Sequence, residues 1–158
     1  MRKVLLLLVV LSLSSCMLRP VHVPPSAYSL TSALRLAQDG YALIFLEEID
    51  GYGPVVKDGL VASYIKGDSS YLLYGFKFFG ESPKDYWKKV VKVYGVWNSR
   101  TYLDLPNSGL YSVAKEGKYI VAWWKDAWLF IVESSTSAEK FANELMDIFA
   151  RVGGASRW

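Results

Sequence analysis

With 158 residues, 52% apolar content and six Trp, eleven Tyr and seven Phe, the chain has the material for one well-filled domain and not the make-up of a disordered segment. Of its 18 basic residues, Arg2 and Lys3 stand at the extreme N-terminus; the other 16 face 15 acidic residues, so beyond that point the formal charge of +3 shrinks to about +1 and gives no electrostatic basis for binding nucleic acid. The single Cys permits no intramolecular disulfide, and because it (Cys16) and the single His (His22) both precede the part of the chain expected to fold, that part offers no Cys–His or Ser–His–Asp constellation and none of the usual zinc and copper ligand sets.

After Met1, Arg2 and Lys3 comes an apolar run, residues 4–13, broken only by Ser12. Spanning a hydrocarbon core takes about 20 residues, so this run is too short to cross and has the length of a signal-peptide apolar region. Leu13-Ser14-Ser15-Cys16 then resembles the lipobox of bacterial lipoproteins: a branched apolar residue, two small ones, and the cysteine that is acylated and becomes the mature N-terminus. That resemblance implies removal of residues 1–15, lipidation at Cys16, and a protein held on a membrane of the cell envelope, facing outside the cytoplasm. At about 0.8 kcal/mol per buried methylene, several acyl chains anchor firmly where one binds marginally. A plain secretory leader with an incidental Cys16 is the simpler alternative.

Residues 16–28 carry Pro20, Pro24 and Pro25 and read as a stiff, extended tether lifting the domain off the bilayer, with His22 a solvated spacer residue. The domain itself is expected over residues 29–152, with a tail at 153–158. Leu30, Ala33, Leu34 and Ala37 fall at helical spacing after Ser29, and Gly40 is placed to stop that helix. An apolar run at 41–49, a turn-rich loop at 50–59, and runs at 60–66 and 71–79 joined by Gly67-Asp68-Ser69-Ser70 read as a strand and a hairpin. Ser82 has N-cap chemistry with Pro83 at the first helical position, opening a helix to about Tyr94 that closes at Gly95 and whose apolar stripe is Tyr86, Val90, Val93 and Tyr94. A short strand candidate at 101–105, strands at 110–115, 118–124 and 127–133, and a last helix from Ser137 to about Val152 complete the chain.

Shifting the sequence by 55 positions places Ser82 on Ser137, Val90 on Leu145 and Tyr94 on Phe149, an internal ββα-type repeat in pattern more than in identity. In the strand at 118–124, Tyr119, Val121 and Trp123 alternate with Ile120, Ala122 and Trp124, so both faces are apolar and both must be covered. The economical α+β architecture is an α/β/α sandwich: a central, mainly antiparallel sheet of about six strands with helices on both faces. The lipobox, the Pro-rich spacer, the two ββα-like halves, the segment GLVASYIKGDSSYLLYGFKFFGESPKDYW and the closing helix SAEKFANELMDIF together resemble a small group of thermophile lipoproteins of unknown function with the PsbP-like (Mog/PsbP-type) fold. The resemblance covers roughly Ser29 to Val152 and implies a binding or assembly role.

Candidate chemistry is sparse. Glu47, Glu48, Asp50 and Asp58 cluster around a turn and could bind a hard cation, though their spacing matches no calcium loop. The glycines around them form no phosphate cradle. Lys84, Lys88, Lys89 and Lys92 share a helix face and form either a headgroup patch or a solvated surface. Trp123, Trp124 and Trp128 flank the Lys125-Asp126 turn, and Trp87 and Trp97 bracket the middle helix; these five are the candidate partner or ligand surface, with core filling as the alternative use of aromatics. The expectation is a non-enzymatic, lipid-anchored binding or assembly module for an envelope protein, with no catalytic residues, cofactor, metal or nucleic-acid partner. The alternative is a carrier or sensor of a small apolar ligand or lipid in a sheet–helix pocket beside Trp124 and Trp128.

Overall fold

The computed structural model describes residues 19–154; the expected leader, Cys16 and the last four residues lie outside the described part. In chain order the elements are α1 (Leu30–Arg35) running into a 3-10 turn (Leu36–Asp39), β1 (Ala42–Tyr52), β2 (Val55–Lys66), β3 (Ser69–Lys77), α2 (Pro83–Tyr94), β4 (Ser99–Asp104), β5 (Ser108–Lys115), β6 (Lys118–Lys125), β7 (Trp128–Ser134) and α3 (Glu139–Val152). The strands form one sheet of seven, not about six, in the order β1-β2-β3-β7-β6-β5-β4, with every pairing antiparallel. The short candidate at 101–105 belongs to a full edge strand, β4, paired with β5 from Ser99 to Asp104. Tight turns close the hairpins: Glu116 and Gly117 both have positive φ (53° and 75°), the backbone hand that matches the twist of the flanking strands.

Both sheet faces are buried, as the strand alternation requires. Val121 and Trp123 of β6 and Trp128, Phe130 and Val132 of β7 join the core under α1 and α3, while Ile120, Ala122 and Trp124 and then Leu129 and Ile131 join the core under α2. On the first face Phe141 of α3 sits among Tyr41, Tyr64 and Tyr71, with ring centroids 4.7, 5.6 and 4.7 Å away. The second face is closed by α2 together with the tip of the β1–β2 hairpin. Register shifts between Leu43 and Phe45 and between Ile49 and Gly51 bend this hairpin, and Tyr52 and Val55 at its tip are buried beside Phe76 and Trp87. Burial of this kind is worth roughly 25 cal/mol per Å² of apolar surface, which makes these two layers the main source of stability.

The middle helix begins at Pro83 after Ser82 as its sequence indicates, but Ser82 makes no side-chain cap bond. Its buried stripe is Pro83, Trp87, Val90 and Val91; Val93, expected inside, is 52% exposed. The pattern at a 55-residue offset holds at the level of burial, with Trp87, Val90 and Val91 matched by Ala142, Leu145 and Met146. The two helices nevertheless cover opposite faces. A two-fold exchanging the adjacent antiparallel strands β3 and β7 would stand normal to the sheet and place both helices on one face, so the halves are not related by that rotation.

The Pro-rich segment is no free spacer from Arg19 onward. Val21 is buried in the first core, and Arg19 pairs with Asp147 of α3. The indole of Trp123 donates to the carbonyl of His22 (3.2 Å), Lys125 to that of Val21 (3.4 Å), and Lys77 to those of Ser26 (2.7 Å) and Tyr28 (2.6 Å). Extended backbone leaves its carbonyls unpaired, and long side chains from β3 and β6 satisfy them. Residues 19–28 are therefore a strap across the end of the first core.

Candidate binding surface

Four of the five candidate tryptophans are structural. Trp87, Trp123 and Trp128 are fully buried and Trp124 nearly so. Trp124 lies across β5 at Gly109, its register partner, where a Cβ would stand 2.3 Å from its Nε1. Trp87 stacks on Tyr102 of β4 at 5.9 Å and donates to the carbonyl of Ala122 (3.0 Å). Trp97 differs. It is 100% exposed, just past the end of α2, and Val93 and Val96 beside it in sequence are also exposed. A tryptophan rarely stands wholly in water, and exposed apolar groups gathered in one place mark interaction sites more often than scattered ones do.

The α2 C-terminal end also holds a polar cluster that the sequence reading missed. Glu133 of β7 points to the same side as Leu129 and Ile131, toward the α2 core. There it accepts from Tyr52 of the hairpin tip (3.0 Å) and pairs with Lys118 of β6 (3.0 Å), while the Tyr52 hydroxyl meets that of Tyr94 of α2 at 2.9 Å. Burial, then the bond to Tyr94, pushes the Tyr52 phenol well above its ordinary pKa, and the bond to Glu133 raises the Lys118 ammonium. The cluster is fully partnered, which makes it a pin holding hairpin, helix and sheet together, not a reactive centre. Two shallow clefts flank it: one of about 240 Å³ lined by Val93, Tyr94, Lys115, Glu116 and Lys118, the other of about 310 Å³ lined by Ser70, Tyr71, Lys118, Glu133 and Ser134 among others. The signal for the cluster was available as parity, since Glu133 occupies an inward position of an otherwise apolar strand.

The remaining candidates separate. Glu48, Asp50 and Asp58 line an open groove of about 890 Å³ together with Leu30, but all three are exposed, and no group of three His, Cys, Asp or Glu suited to a metal occurs among the described residues. Glu47 is exposed and is not among the groove's lining residues. Lys84 leaves the proposed basic face: it pairs with Asp104 (2.7 Å), donates to the Leu105 carbonyl (3.1 Å) and lies 5.7 Å over the Trp124 ring. Lys88, Lys89 and Lys92 stay exposed. Trp124 and Trp128 are buried on opposite faces of the sheet, and beside Trp128 lies a solvent-facing cleft of about 390 Å³ under the strap, lined by His22, Pro24, Lys125 and Phe149 among others.

Comparison with known proteins agrees with the fold and leaves the activity open. Residues 25–152 match the sequence profile of a family described as protein of unknown function (DUF3242). The crystal structure of a GTP binding regulator from Thermotoga maritima superposes with a TM-score of 0.74 at 39% identity, over 83% of this chain and 94% of that one. No curated protein matches the chain.

Proposed function

From the premise that the chain belongs to the DUF3242 family, we propose that it is a lipid-anchored, non-enzymatic binding module of the cell envelope, facing outside the cytoplasm and meeting a protein partner through the Trp97 end. The leader and the lipobox-like run before Cys16 support the anchor, and the sandwich of helices on a mainly antiparallel sheet supports kinship with PsbP-like folds. The observation that carries the partner reading is Trp97, the one wholly exposed tryptophan among the described residues, close in sequence to exposed Val96 and to exposed Val93, which lines a cleft. Exposed aromatics of this kind supply a large share of binding energy when a partner desolvates them, commonly 2 kcal/mol or more.

Crosslinking in intact cells tests it. A specific envelope protein should be captured by the wild type and lost with Trp97→Ala, at unchanged abundance of the bait. Equal capture by both would sink the assignment of that end. Labelling with a fatty-acid analogue, wild type against Cys16→Ala, tests the anchor separately.

A guanine-nucleotide role like the Thermotoga protein's would need a phosphate cradle. The chain has neither G-x-x-x-x-G-K-[ST] nor G-x-G-x-x-G after a strand, and the open groove of about 890 Å³ presents Glu48, Asp50 and Asp58, which repel phosphate. Titration with a fluorescent GTP analogue should show no saturable binding; a saturating curve would reverse that judgement.

A further inference from the structure

The strap decides how far the domain can stand from an anchor. Only Met17 and Leu18 separate Cys16 from Arg19, and at about 3.3–3.6 Å per residue the sulfur-bearing residue lies within roughly 10 Å of the Arg19 backbone. The strap in turn is fastened to one end of the sandwich, by Lys77 at the close of β3 and Lys125 at the close of β6. That same end carries Phe79, 79% exposed, with the Lys77 ammonium 5.5 Å over its ring. Trp97 is at the other end: the start of β4 is level, through Val113 and Ile120, with Glu133, five residues along β7 from Trp128. At about 3.3 Å per residue the two levels are roughly 17 Å apart.

We propose that the strap end is a lipid-facing surface: with an acyl anchor on Cys16 the domain rests against the bilayer, the β3–α2 connection and the β6–β7 turn toward the headgroups, Phe79 in the interfacial layer and Trp97 pointing away. The proposal deepens the anchored-module reading and rests on it. Three observations converge on a lipid occupant. The chain outside the structure is too short to let the domain float free. A large apolar side chain sits bare at the end where the anchor must emerge. The same end carries the ammonium groups of Lys77 and Lys125, which hold the strap carbonyls and, with three N–H donors each, keep at least one apiece for phosphate headgroups. Tethering raises the effective concentration to the millimolar range, so one aromatic contact too weak to bind free protein is enough to orient anchored protein.

The test attaches the lipid chemically. The chain from Cys16 to Trp158, which contains every element of the fold and a single thiol, is coupled at Cys16 either to a maleimide phospholipid in phosphatidylglycerol–phosphatidylethanolamine vesicles or to a soluble maleimide cap. Hydroxyl-radical footprinting then reads Phe79 and Trp97, both exposed in solution. Oxidation of Phe79 should fall at least about threefold on vesicles while that of Trp97 stays near its solution value. Unchanged Phe79 oxidation, or an equal fall at both residues, overturns the orientation. Because the anchor is supplied by synthesis, such a result leaves cellular acylation of Cys16 standing, and failure of acylation in cells would leave the footprint standing.

Discussion

Gly109→Ala measures how tightly the α2 core is closed. Gly109 is paired across the ladder with Trp124, and a Cβ on it would meet Trp124 Nε1 at 2.3 Å, Cδ1 at 2.8 Å and Trp87 Cζ2 at 3.1 Å. Gly109 is not among the residues with positive φ, so alanine suits the backbone, and the loss of unfolded-state freedom alone would stabilise by about 0.4–1 kcal/mol. Against this stands overpacking, about 1–3 kcal/mol for an added carbon in a filled core. The upper part of that range applies, since Trp124 is nearly fully buried beneath Lys84 and Trp87 is fully buried and bonded to the Ala122 carbonyl. The net expectation is a loss of about 2 kcal/mol, which for a domain of this size lowers Tm by roughly 4–8 °C. Urea melts followed by tryptophan fluorescence and by far-UV circular dichroism should give a lower midpoint with an unchanged slope. Gly109→Ala with Trp124→Leu should cost less than the sum of the two single changes, because the second removes what the first strikes. A Gly109→Ala protein within about 0.5 kcal/mol of wild type would refute the reasoning, for it would mean the indole swings away freely and this face is loosely packed.

Two further expectations concern the ends of the sandwich. Tyr52→Phe removes the bonds to Tyr94 and Glu133 and should cost about 1–2 kcal/mol, with amide exchange rising first at the β1–β2 tip; protection unchanged there would deny the cluster its pinning role. At the strap, burial and then the Lys125 and Arg19 cations lower the His22 pKa below 6.5 against the opposing pull of Asp147. The docked strap thus prefers neutral imidazole: its stabilisation is complete above pH 6.5 and is lost as pH falls from there toward the folded pKa. The Trp123 indole N–H resonance should report looser docking on acidification, and His22→Gln should remove that dependence; a pH-independent wild-type signal would contradict the sign.

Legibility in the sequence followed the range of the interactions. Strands β6 and β7 were readable because alternation on two apolar faces is a local signal, and it correctly demanded cover on both sides. The same local view could not decide whether Trp123 and Trp128 were core or surface, since a turn flanked by aromatics looks alike in either case; partner strands decide it. Helical spacing from Tyr86 leads to Val93 and Tyr94, while the buried stripe runs through Trp87 and Val91, one position round the helix, a rotation that only the sheet beneath α2 decides. The strap was misread for a related reason. Proline content announces extended backbone but is silent about which groups donate to its carbonyls, and the donors are 49 to more than 100 residues distant. Glu133 stands between these cases, its inward parity legible and its partners Tyr52, Tyr94 and Lys118 not.

The position of β3 beside β7 bears on how the chain reaches this state. The first three strands and α2 are complete by Tyr94, yet β3 keeps one open edge until residues 128–134 arrive, and α2 has little to cover until β5, β6 and β7 exist beneath it. Assembly of the sheet centre must await nearly the whole polypeptide, so a chain emerging vectorially passes through a stage with a long, apolar, unpaired ladder on display. Such a stage invites strand exchange between nascent copies, and the burden of preventing it falls on whatever shields the chain while it is being made.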